Sequence, residues 1–162
     1  AEAGMAVVRK IPPKMYARLS EGRLKSIVSH PDNQMVTRAW EEATGSPADP
    51  DEVAEGFYDP DNGTVVVNGA DPAGVFAHEI GHALDWSQAG PGGYFQLSTT
   101  DDWKGIWRAE LVRGRLTNYA NTDPTEGLAE FARLVYADPN GTQMAQRYFP
   151  RAYAFFTKYG LV

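Results

Sequence analysis

The run "VFAHEIGHALDW", residues 75–86, sets His78 and His82 four residues apart with Glu79 directly after the first histidine. Asp71 and Pro72 stand just before it in the order of an N-cap and a first helical residue, which predicts a helix from about Pro72 to about Ser87. On a helix turning ~100° per residue, the two imidazoles differ by ~40° in direction and ~6 Å along the axis. Both therefore reach one metal ion from the same face. Glu79 points ~60° to the side of His82, beside the open position of such an ion, where a carboxylate serves as general base. The competing reading is a helix that buries its histidines against a partner carboxylate with no metal. The third histidine, His30 in "SHPD", reads as a surface loop residue and is given no role.

A catalytic zinc site has three protein ligands and one open position, so a further donor has to come from elsewhere in the chain. The sequence contains no cysteine, which excludes both disulfides and thiolate ligands and leaves His, Asp and Glu as the available donors. Asp85 lies seven residues after His78 on nearly the same face. It is ~10 Å along the axis from His78, which suits a bond to His82 or to the local backbone better than metal ligation. Glu126 and Glu130, in "YANTDPTEGLAEFARL", share one face of a later predicted helix, with Arg133 close to the same line. One of these carboxylates is expected to ligate and the other to orient an imidazole or to hold Arg133. The spacing Asp123-Pro-Thr-Glu126 is also that of a capping box, so Glu126 has an alternative task at the helix start.

Size and charge narrow the partners. A chain of 162 residues, 43% hydrophobic, fits a single domain spanning 1–162. Its formal net charge of −6, with no basic stripe, disfavours nucleic acid and anionic membrane surfaces. No apolar run approaches the ~20 residues of a membrane span, and the first residues lack the layout of a signal peptide. The start at Ala1 fits a mature or excised form, so secretion, or delivery as part of a larger protein, is the expected setting.

Along the chain, "AVVRKI" at 6–11 reads as a short edge strand stopped by Pro12 and Pro13. "MYARLSEGRLKSIV" and "NQMVTRAWEEATG" have helical spacing, the second capped by Asp32 and ended by Gly45. "TGSPADPDEVAEG" at 44–56 reads as a long loop, and "GFYDPDNGTVVVNG" at 56–69 as a hairpin. Helices are predicted over 101–114, over "TEGLAEFARLVY", and over a C-terminal stretch kinked or restarted at Pro150.

The pattern HExxH, then Tyr119, then Glu126 seven residues later and Glu130 four beyond, resembles the catalytic domain shared by anthrax lethal factor and the bacterial Pro-Pro endopeptidases. "HEIGHALD" is itself similar to that family's first motif, and the likeness spans roughly residues 58 to 136. The sequence departs from it at Gly127 and Leu128, where the family more often has aromatic residues. The resemblance implies one zinc ion held by His78, His82 and Glu126, an oxyanion donor in Tyr119, and Glu130 supporting the ligands from behind.

The resulting expectation is an α+β, zincin-like metallopeptidase domain, mainly helical, with a small sheet beside the active-site helix. Its edge strand, expected within "TVVVN", would pair with substrate. The expected activity is that of a monomeric zinc-dependent endopeptidase acting on polypeptides, with proline-containing sites suggested by the resemblance. Two alternatives remain: a toxin-type effector protease domain from a larger secreted protein, and a metal-binding module that does not cut. The loop "SQAGPGGYFQL" at 87–97 is a candidate lid.

Overall fold

The computed structural model describes residues 2–49, 55–69, 72–90 and 92–162. Asp71 and part of the 44–56 loop lie outside the described residues, so neither the Asp71 cap nor the full loop is described. The chain begins with two short helices, α1 (Glu2–Val8) and α2 (Pro13–Ser20), followed by strand β1 (Ser26–His30) and helix α3 (Asn33–Thr44). Strands β2 (Gly56–Asp59) and β3 (Thr64–Asn68) form the expected hairpin and lead to α4 (Pro72–Asp85), which carries both motif histidines. Helices α5 (Asp101–Ile106), α6 (Pro124–Ala137), α7 (Gly141–Tyr148) and α8 (Pro150–Lys158) complete the chain. The expected mainly helical α+β architecture with a small sheet is the observed one. None of the described helices is long and apolar enough to cross a membrane.

The first helix corrects the strand expected at 6–11. Val7, Ile11, Met15 and Leu19 are all buried at a spacing of four, and this helical stripe, despite the β-branched composition, packs into the core with Phe76 of α4. The helix expected from Met15 to Val28 ends instead at Ser20. Ile27 and Val28 stand exposed in β1, where their branched Cβ atoms suit a pleated strand and find no core to pack into. Asp32 and Gly45 act as foreseen: the Asp32 carboxylate accepts from Met35 N at 2.9 Å, and Gly45 closes α3 at φ 68°.

The strand order is β1-β3-β2, with β1 parallel and β2 antiparallel to β3. "TVVVN" is therefore the central strand. Val65, Val66 and Val67 are all buried because α3 covers one face of the sheet and α4 the other. The edge beside α4 belongs to β2.

Within the same core, a group of rings packs together. Trp103 packs on Phe155 at 5.0 Å between centroids, and Phe131 meets Phe156 edge-to-face at 4.8 Å. The helix expected over 101–114 is interrupted: after α5 the chain widens into a π-turn over Trp107–Leu111, which aims Trp107 at α6.

Candidate metal centre

Helices α4 and α6 approach as closely as backbones allow. A Cβ on Gly81 would lie 2.7 Å from Ala129 Cα and 2.9 Å from Ala132 Cβ, so any side chain there would push the helices apart. His78 and His82 flank Gly81 on one helix, and Glu126 and Glu130 flank Ala129 on the other, so this contact sets the distance between the donors. The start of α6 is fixed twice. Asp123 Oδ1 accepts from Thr125 N at 2.8 Å and Glu126 N at 2.9 Å, and Trp103 Nε1 donates to the Pro124 carbonyl at 2.7 Å. Asp123 thus caps the helix, while the Glu126 side chain turns toward the histidines and takes no part in a reciprocal capping box.

His78 Nε2 stands 3.1 Å from His82 Nε2 and 3.1 Å from Glu126 Oε2, and His82 Nε2 stands 3.4 Å from the same oxygen. A tetrahedral ion with bonds of ~2.0–2.1 Å spaces its donors by about 3.3 Å, so this triangle has the dimensions of three corners of such a coordination sphere. Glu126 Oε2 is buried without a hydrogen bond, although two ring nitrogens face it. Three lone pairs aimed at one point suit a cation. His78, His82 and Glu126 thus form a group able to hold a metal ion.

Behind the triangle, His78 Nδ1 is 2.8 Å from Glu130 Oε1. An N–H at Nδ1 donates to that carboxylate and leaves the Nε2 lone pair free for a metal. Burial alone would raise both carboxyl groups and lower the imidazole. The bond to His78 outweighs it at Glu130 and holds that carboxyl below the ordinary range, while the close ring nitrogens of His78 and His82 hold Glu126 at about 2. In the metal-free protein the nearness of Glu126 and Glu130 lifts His78 to about 9.

Glu79 is buried, and burial pushes its carboxyl up, partly offset by the nearby imidazoles of His82 and His78. Gly56 of β2 lies against it: a Cβ there would meet Val75 Cγ1 at 2.6 Å and Glu79 Cγ at 3.2 Å. Tyr119 lies on a 3-10 turn, Tyr119–Asn121, with its ring 5.5 Å from that of His78. Burial and the surrounding carboxylates, Glu126 and Glu79 first among them, push its phenol to about 12, so the hydroxyl keeps its proton. That turn is held by Trp107, whose Nε1 donates to the Ala120 carbonyl at 2.7 Å. Gly127 makes room for the indole, since a Cβ there would lie 2.5 Å from Trp107 Cδ1. The departure from the family pattern at Gly127 thus has a packing partner in the π-turn, and the link from Trp107 to Tyr119 has no signature in the sequence.

Asp85 lies away from the donor triangle. Its carboxylate accepts from Ser98 N and Ser98 Oγ, each at 2.6 Å, and from Gln96 Nε2 at 3.0 Å, so it anchors the far end of the 87–97 segment. Nearer the tip, the Arg23 guanidinium donates to the carbonyls of Gly90 and Gly93 and stacks 5.0 Å from the Trp86 ring. Tyr94 projects into solvent, 88% exposed. The sequence reading passed over Arg23, although a lone arginine ahead of β1 offers no pattern to find.

The donor triangle, Glu79, Tyr119 and Glu130 open on one cleft of about 740 Å³, which Gly56, Trp86 and Arg133 also line. No protein-family model matches the sequence, and no curated protein matches it. The fold is similar to the solved structure of the Pro-Pro endopeptidase PPEP-2 from Paenibacillus alvei, with a TM-score of 0.69 and 20% identity over 97% of this chain and 90% of that one. The resemblance read from HExxH, Tyr119 and the glutamate pair therefore extends to the fold of nearly the whole chain.

Proposed function

We propose that the chain is a zinc-dependent endopeptidase. The observation that carries this reading is the donor triangle of His78, His82 and Glu126, with the buried carboxylate of Glu79 beside it. Zinc, when bound, polarises the scissile carbonyl and acidifies a water molecule next to it. Glu79 takes the proton of the attacking water and delivers it to the departing amine, a task for which a carboxyl raised by burial is suited. Tyr119 donates its phenol hydrogen to the oxygen of the tetrahedral species. Glu130 holds His78 in the tautomer that ligates.

Among the described residues the outer strand β2 pairs with β3 on one side only, and its start at Gly56 lies against Glu79. A polypeptide added along this edge as a further strand passes beside the general base. The likeness to a Pro-Pro endopeptidase supports a polypeptide substrate and makes proline-containing peptides the first to try. A metal-binding module that does not cut would have no use for a buried carboxylate at the open side of the ion.

A peptide-library digest read by mass spectrometry, with and without chelator, tests the activity and yields the cleavage site. Glu79→Gln is expected to keep one zinc and to lose at least ~10²-fold in kcat. Full activity in that variant would sink the assignment. Glu126→Ala is expected to lose zinc; unchanged affinity would overturn Glu126 as the third ligand.

A further inference from the structure

Arg133 is the one lysine or arginine among the described residues lining the cleft, which is otherwise acidic through Asp49, Glu55, Glu79, Glu126 and Glu130. It is exposed, although most of its helix is buried. Its only ion pair among the described residues, with Glu130 Oε1, is 3.6 Å long. Charge-assisted hydrogen bonds run to ~2.7–2.9 Å, and a guanidinium carries five N–H donors, so this contact leaves the fork largely unused. The position is nevertheless built. The guanidinium lies flat over Gly74, one turn before His78, and a Cβ there would stand 3.2 Å from both Nε and Nη2. Glycine at 74 thus gives Arg133 its seat, and one carboxylate, Glu130, stands between the guanidinium and His78 of the donor triangle.

We propose that Arg133 is a carboxylate-binding subsite that determines substrate specificity. It takes an acidic side chain one or two residues from the scissile bond. The inference rests on the endopeptidase reading. Apart from the metal site, the charged side chains described along the cleft are carboxylates and Arg133, so a substrate side-chain carboxylate held away from the metal pairs with Arg133, and a bidentate contact there fixes the register of the peptide along β2. Glu130 shares one edge of the guanidinium and keeps it from swinging toward the metal ligands.

The test uses zinc-loaded protein and rhodamine-labelled nonapeptide pools carrying Glu, Gln or Lys at one fixed position and mixed residues elsewhere. Each pool is made as free acid and as C-terminal amide. Binding is measured with Glu79→Gln protein, and cleavage of the same pools with Glu79 intact. At one fixed position, Glu is expected to exceed Gln by about tenfold in binding and in kcat/KM, mainly through KM. Free acid and amide are expected to behave alike, and a preference for the free acid would overturn the side-chain assignment; the Glu-to-Gln ratio is the readout. Arg133→Gln should bring that ratio to near one, and Arg133→Glu should shift the preference to Lys. Gly74→Ala, which leaves the charge but crowds its seat, should reduce the ratio. A ratio unchanged in Arg133→Gln, or no carboxylate preference in wild type, overturns the subsite. Arg133-dependent discrimination in binding without any cleavage would overturn the endopeptidase reading and leave the subsite standing, whereas cleavage without discrimination would do the reverse.

Discussion

At the floor of the cleft, Gly81 and Ala129 bring α4 and α6 into backbone contact, and His78, Glu126 and Glu130 are each held in place by a neighbour. At the rim, Tyr94 stands 88% exposed on a segment tethered by Asp85 at one end and by Arg23 near its tip. The floor has little freedom to change without losing the metal geometry. The rim can vary at Tyr94, whose side chain is exposed and meets Trp86 edge-on. This division separates the chemistry, which depends on positions fixed to a few tenths of an ångström, from the choice of substrate.

Tyr119 tests where the floor ends. It is half-exposed like a rim residue, yet its turn is tied to α6 through Trp107 and Gly127. Tyr119→Phe is expected to lower kcat by ~10²–10³-fold with zinc content unchanged, as for loss of an oxyanion donor. If only KM moves, Tyr119 belongs to the rim.

Glu130 comes next. Glu130→Gln should weaken zinc binding by ~10–100-fold, measured by competition with a chelator. The same titration has a pH signature in the unmutated protein. The metal-free His78 is raised above its usual 6.5 to about 9, so stabilisation by its protonated form is complete below 6.5 and is lost as pH rises through 9. Zinc has to displace that proton, so apparent affinity should climb as pH rises from 6.5 to 9 and then level off. A flat profile would mean that the imidazole is not held by the two carboxylates.

The smallest effects separate the regions by stability alone. Gly81→Ala should cost about 1–3 kcal/mol in thermal or denaturant unfolding, because its Cβ meets backbone. Tyr94→Ala should stay within about 0.5 kcal/mol. Equal losses at the two sites would erase the contrast.

The floor was legible in the sequence because its residues recur at a spacing of four on helices with strong starts. His78 with His82, and Glu126 with Glu130, announce one face each, and Asp123-Pro124 marks where the second helix begins. The sheet was harder. "TVVVN" reads as an edge strand, yet burial on both faces makes it central, and only the pairing of β1 with it reveals that. Local composition misled at 6–11, where Val7 and Ile11 belong to a stripe that continues past two prolines to Leu19. The links that place Tyr119 and the 87–97 segment were invisible, because Trp107 to Ala120, Asp85 to Ser98 and Arg23 to Gly90 join residues with no shared periodicity.

The contact between Gly81 and Ala129 also bears on how the chain can be changed. Because the distance between the donors is set by two residues that touch no substrate, the peptide-facing positions are free to be randomised together. A library varied at Trp86, Tyr94 and Arg133 with both contact residues kept should yield folded, metal-loaded members at high frequency. One that also varies position 81 should lose most of its members before selection begins.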